Sequence, residues 1–229
     1  VVPSPDSGYA QLTVTAKATV EAHRYSANGF CSVCDEYQPA SLSGSVYQIA
    51  NGGQMFWFAA LVNGDGTHAV FAEKNAAASA VLTKDIDLEN REWTPIGGNN
   101  NDYTGSFNGQ EHTVSKLYIT KTNSYTGLFG RTTGVVQNFT VEGSITLSAT
   151  GTRIGGAVGT AYGGAVFGVC SRVSISDSNI VAHHIGGVIG GVDSPETVIE
   201  NCLFEGTLEI GATTDCVGGI VGYSNGDRN

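Results

Sequence analysis

The chain has 229 residues, with 11 Lys and Arg against 21 Asp and Glu, a formal net charge of −10. Hydrophobic residues make up 41%, which argues against global disorder. The acidic balance argues against a nucleic-acid surface, which needs clustered Lys and Arg, and no run approaches the roughly 20 apolar residues of a membrane-spanning helix. Glycine, at 32 residues, is about twice its usual ~7% share, while proline numbers 5, a profile of a turn-rich β protein rather than a helical bundle.

The chain opens on Val1-Val2-Pro3 without an initiating Met and ends inside a repeating pattern, which predicts that the natural protein is longer. Residues 11–20 alternate as Leu12, Val14, Ala16, Ala18 and Val20, a strand signal. Next comes His23 with Cys31 and Cys34, a His-x7-Cys-x2-Cys spacing with an Asn28-Gly29 turn between. Two thiolates on a tight turn form half of a structural zinc knuckle, and His68, Asp35 or a group from another chain could complete it. The competing reading is a local disulfide or two free thiols. Five cysteines, an odd and sparse set, exclude a dense disulfide framework.

Residues 46–49 read as a strand, followed by a helix with Asn51 as N-cap. Met55, Phe58, Ala59 and Val62 follow at helical spacing, Trp57 and Leu61 lie on a neighbouring stripe, and Asn63-Gly64 ends the helix. So apolar a helix must be buried, and its expected task is to plug the open end of a sheet whose unpaired edge invites aggregation.

From residue 80 onward one inward code recurs, apolar at i, i+3 and i+5, then at i+9 and i+11. It reads Val136, Phe139, Val141, Ile145, Leu147, and again Ile199, Cys202, Phe204, Leu208, Ile210. Weaker copies start at Thr83, Val114 and Cys170, with Asn123 and Asn179 in one slot of the last two. After each clear copy comes a Gly-flanked apolar cluster, at 127–130, 155–159, 186–190 and 218–222. Period-2 strands that cannot bury a face alone must stack. The expected fold is therefore all-β, a right-handed parallel β-helix of about five coils with a small N-terminal strand and helix cap. A sandwich or barrel of short antiparallel strands explains the strands but not the return of the code. The organisation read from this is 1–45 for the N-terminal strand and Cys-x2-Cys segment, 46–79 for the capping helix region and 80–229 for the repeats.

Several strings taken together resemble a known family. Val46-Tyr47-Gln48-Ile49 and Phe56-Trp57-Phe58-Ala59 precede Asp85-Ile86-Asp87-Leu88, Trp93-Thr94-Pro95-Ile96-Gly97, Tyr103-Thr104-Gly105-Ser106-Phe107-Asn108-Gly109 and Gly127-Leu128-Phe129-Gly130. Over roughly 46–222 they are similar to GLUG-type repeat regions of large secreted or cell-wall-anchored proteins of gut Firmicutes and related bacteria. The resemblance implies an extracellular location and a scaffold or adhesion role, with host or microbial glycans or surface proteins as partners. It implies no catalytic residues.

The best enzyme candidate is the acidic run Asp85, Asp87 and Glu89, whose alternation around Ile86 and Leu88 turns all three outward, with Lys84 and Arg91 close enough to neutralise part of it. Paired carboxylates of this kind could serve as glycosidase acid and base or as calcium ligands, and Trp93 and Tyr103 could complete a sugar-binding face. A solvated acidic face beside a turn is the plainer reading. Asn63-Gly64-Asp65-Gly66 lacks the acidic twelfth ligand of a calcium loop, where Lys74 stands. Tyr9, Tyr25, Tyr37, Tyr162 and Tyr223 sit by turns where they could stack on sugars, and Asn138-Phe139-Thr140 matches a glycosylation sequon. Cys170 and Cys202 are expected to be small buried hydrophobes. No nucleophile elbow, Walker loop, zincin or dinucleotide motif occurs. The function expected is a non-catalytic surface module for adhesion, ligand presentation or spacing, and the alternative is a carbohydrate-binding or carbohydrate-cleaving groove near Asp85 and Asp87.

Overall fold

The structure is a computed structural model that describes residues 23–66, 73–122, 124–147, 151–177, 182–211 and 214–225. The strand expected at 11–20, His68, Tyr9, Asn123 and Asn179 lie outside the described residues.

The chain begins with strands β1 (Ser41–Ser43) and β2 (Val46–Ile49) and helix α1 (Gly52–Asn63). Then come β3 (Ser79–Leu82), β4 (Ile86–Asp87), β5 (Ser106–Ile119), β6 (Tyr125–Thr126), β7 (Phe129–Thr132) and β8 (Val135–Leu147). The next two turns hold β9 (Gly151–Gly155), β10 (Val158–Ala161), β11 (Ala165–Asp177), β12 (Ala182–Gly186) and β13 (Ile189–Val192). The last holds β14 (Val198–Glu200), β15 (Leu203–Phe204), β16 (Thr207–Glu209), β17 (Cys216–Gly218) and β18 (Val221–Ser224).

These strands form three parallel sheets wound into a β-helix of about five turns. The largest runs β2-β3-β5-β8-β11-β14, with only β1 added antiparallel to β2. The others run β7-β10-β13-β18 and β6-β9-β12-β17. In the largest sheet Tyr47, Ala80, Phe107, Val136, Val166 and Ile199 stand in one column, 27 to 33 residues apart. Phe129, Val158, Ile189 and Val221 form another. The columns face one continuous interior, whose aromatic centre joins Phe107 to Phe58, Phe129 and Phe139 at 6.4, 5.1 and 5.7 Å.

The Gly-flanked clusters stack in the register expected of them. Each marks a sharp bend from one sheet to the next, and a Cβ on Gly186 would meet the Ile189 carbonyl oxygen at 1.8 Å. Only glycine fits so close a backbone approach.

The register of the largest sheet differs from expectation in three copies. Val114 pairs with Val141, not with Val136, because β5 carries extra residues between Asn108 and His112 and between Val114 and Leu117. Gln110, Glu111 and Lys116 adopt left-handed backbone angles in these irregular stretches. In β11 the column residues are Val166, Val169, Ser171 and Ile175, so Cys170 falls between columns and is half-buried. Cys202 does occupy the Phe139 slot, yet it is also half-buried because it stands on the last described rung. The first copy aligns from Ala80, not Thr83.

The helix forms as read. The Asn51 side chain accepts the Gln54 N–H at 2.9 Å, the Gln54 side chain accepts the Ala50 N–H, and Gly64 closes the other end in the left-handed region at φ 72°. Every residue from Gly52 to Val62 is buried. The helix takes the place of strands in the turn between β2 and β3. Its C-terminal Asn63 bonds the Pro95 carbonyl and the Gly97 N–H of the next coil, and Phe30 and Tyr37 cover Phe56 from outside.

Replacing Phe107 by Ala opens a cavity at the aromatic centre and should cost about 4 kcal/mol. Ser171→Ala should instead leave stability unchanged or raise it by about 1 kcal/mol. It removes a fully buried hydroxyl without a hydrogen-bond partner among the described residues. Chemical denaturation of the two variants checks both.

Candidate functional site

Among the described residues, two regions gather side chains capable of chemistry. The first is the outer face of the β3–β4 turn. Ile86 and Leu88 point inward, which leaves Asp85, Asp87 and Glu89 outside, as the alternation requires. Each carboxylate is engaged separately. Asp85 accepts the Thr113 N–H at 3.0 Å and lies 3.1 Å from His112 Nδ1, both from the next coil. Asp87 accepts Lys116 Nζ at 2.6 Å and the Glu89 N–H. Glu89 accepts from Asn28 and Arg91. Lys116, not Lys84, is the ammonium on Asp87.

The bonds from Thr113 and His112 hold the Asp85 carboxyl below its ordinary range. Burial raises that of Asp87, but Lys116 and the Glu89 N–H more than reverse it. Burial likewise raises Glu92, and the Thr120 hydroxyl at 2.6 Å with the Thr120 and Lys121 N–H groups outweighs it. These carboxyls are ionised acceptors tying one coil to the next.

Trp93 and Tyr103 do not belong to a ligand face. Trp93 is buried, donates Nε1–H to the Leu128 carbonyl at 3.0 Å and packs on Phe56. Tyr103 is fully buried and donates to the Ala78 carbonyl. Both flank turns, but pairing with the next coil, through Glu92 with Tyr118 and Tyr103 with Thr132, draws them inward. Of the other tyrosines, Tyr162 is exposed beside the Arg131 guanidinium, and Tyr223 stacks on His184. Asn138 is half-buried in a left-handed conformation, its amide against Asn108.

A ladder that the sequence reading missed runs along the largest sheet, where Arg172 on β11 bridges Glu142 below at 3.0 Å and Glu205 above at 2.8 Å. Its signal is opposite charge recurring 30 to 33 residues apart, which becomes visible only once the register is known.

The second region is the turn at 23–37. Tyr25 pairs with Cys31 around a tight turn at Ser26–Gly29, and Phe30 pairs with Tyr37 around the turn that carries Cys31 and Cys34. The Cys31 Sγ is buried and receives the backbone N–H groups of Val33, Cys34 and Arg24, while the Glu36 N–H points at the Cys34 Sγ. His23 Nδ1 lies 3.2 Å from Cys34 Sγ, and the donor atoms of His23, Cys31 and Cys34 all fall within 4.8 Å of one another. The Val33 N–H, with the other donors, lowers the Cys31 thiol to about 6. Cys34 is raised, because burial and the neighbouring Cys31 thiolate outweigh the Glu36 N–H. Asp35, proposed as a further ligand, is instead held by Arg91 Nη1 at 2.9 Å.

No family model matches the chain, and no solved structure matches it. A segment of 86 residues is 34% identical to a "Putative Gly-rich membrane protein" of Evansella cellulosilytica. That match covers 36% of this chain, and the chain spans about a tenth of that relative's length. No helix among the described residues is long and apolar enough to cross a membrane.

A carboxyl whose folded pKa is lowered contributes stability above its unfolded pKa, and that contribution is lost as pH falls through the folded value. Asp85, Asp87 and Glu92 all shift in this direction. Thermal stability should therefore be flat near neutrality and fall below about pH 4, the ordinary carboxyl range. Glu92→Gln should cost about 1 kcal/mol at pH 6 and flatten part of the acid loss, which melting curves from pH 2 to pH 7 would show.

Proposed function

We propose that this chain is a non-catalytic, extracellular β-helical module of a bacterial surface protein, one that presents a ligand-binding face or spaces other domains from the cell. The reading rests on where the outward-facing charge is spent. Asp85 with His112, Asp87 with Lys116, Asp102 with Arg131, Arg153 with Asp193 and Arg172 with its two glutamates all join one coil to another. Groups used this way stiffen a rod along its axis and offer a partner an even, acidic surface. The resemblance to GLUG-type repeat regions points the same way, as does the columnar architecture, which lengthens by adding coils without altering those present.

Incubation of the chain with a panel of plant, bacterial and host polysaccharides should give no new reducing ends or unsaturated products, while a glycan and surface-protein array should report binding or none without turnover. Polysaccharide cleavage abolished by Asp85→Asn would overturn the reading in favour of a catalytic groove.

A further inference from the structure

The donor set at the 23–37 turn takes no part in the bonding between coils described above, and its arrangement has a chemical direction. A tetrahedral zinc ion with bonds of about 2.3 Å to sulfur and 2.0 Å to nitrogen sets its ligand atoms about 3.5–3.8 Å apart. The three atoms here lie within 4.8 Å of one another, and His23 Nδ1 and Cys34 Sγ are already at 3.2 Å. Small rotations of exposed side chains bring the set to that spacing.

The backbone fixes the turn that carries the two thiols: the Cys31 carbonyl accepts the Asp35 N–H at 3.1 Å, the Cys31 N–H donates to the Glu36 carbonyl at 2.8 Å and the Ser32 N–H to the Arg24 carbonyl at 3.0 Å. The left-handed conformation of Asp35, at φ 62°, makes the turn that presents them. The His23 ring stacks on Tyr25 at 5.5 Å, which limits its orientation. Among the described residues this is the one group of three or more His, Cys, Asp or Glu donors close enough to share an ion.

We propose that His23, Cys31 and Cys34 bind one zinc ion, with a solvent oxygen as fourth ligand, and that the ion locks the turn in the shape that packs onto the cap. Binding releases the thiol protons to solvent, so both sulfurs coordinate as thiolates. The segment so locked is the one that covers the outer side of α1. Phe30 packs on Phe56, and the backbone at Gly29 approaches Gly53 so closely that a Cβ there would sit 1.9 Å from the Gly29 oxygen. The ion therefore fixes the shape of the element that packs over the outer side of the helix.

The test uses the whole chain, reduced, loaded with zinc chloride or cobalt chloride and freed of excess metal by gel filtration. The expected result is one metal ion per chain by elemental analysis and, with cobalt, a near-ultraviolet thiolate charge-transfer band with the strong visible absorption of tetrahedral cobalt. Cys34→Ser and His23→Ala change exposed positions, and with folding confirmed by circular dichroism each should lose the stoichiometric ion and the tetrahedral spectrum. A reduced chain that retains no metal, a Cys31–Cys34 disulfide that zinc cannot prevent from forming in air, or full metal retention in both variants would overturn the proposal.

Discussion

In a parallel coil no strand finds a partner within its own turn. The N–H and C=O groups of β8 bond only to β5 on one side and β11 on the other, and the apolar side chains of one rung are sealed only by the rungs above and below. Register between turns is therefore the constraint on which everything else depends. A one-residue slip turns an inward column outward, and a column such as Phe107, Val136 and Val166 holds its place because both neighbours hold theirs.

The same constraint makes the two ends special. At the N-terminal end β1 adds an antiparallel strand and α1 fills a turn with a helix buried along almost its whole length, so Ile49, Met55 and Phe58 are dry. On the last described rung no further coil lies over the columns among the described residues. Ile199, Cys202, Phe204, Leu208 and Ile210 are half-buried there, although their counterparts in β8 are sealed. The identity of the side chains is the same in kind. Only the neighbour differs.

Much of this was legible in the sequence where local chemistry decides it. Asn51, the apolar run and Gly64 define the helix, because caps act over one turn. The Gly-flanked clusters keep their register because their glycines stand at bends whose geometry repeats, and the Cys-x2-Cys turn announces its own shape. The largest sheet was read out of register in three copies, two of them for identifiable physical reasons. Extra residues in β5 give Val114, Leu117 and Ile119 the spacing of Val136, Phe139 and Val141, although Val114 stands in the Val141 column and Ile119 in that of Ile145. In β11 a buried Ser171 interrupts the apolar code, so the next apolar positions imitate it. Trp93 and Tyr103 looked like surface aromatics because their sequence neighbours are turn residues, whereas their direction is set by pairing with a coil about 30 residues away. The partners of Asp85 and Asp87 were hidden by that same distance.

Stacking in this register makes a prediction that a single bond can read. Thr140 and Cys170 are aligned on adjacent parallel strands, whose spacing of about 4.8 Å lies within the Cα window of a disulfide. Mild oxidation of Thr140→Cys should link positions 140 and 170, identified by peptide mapping. If that variant leaves Cys170 unlinked while Val136→Cys captures it, the coils are not stacked as described.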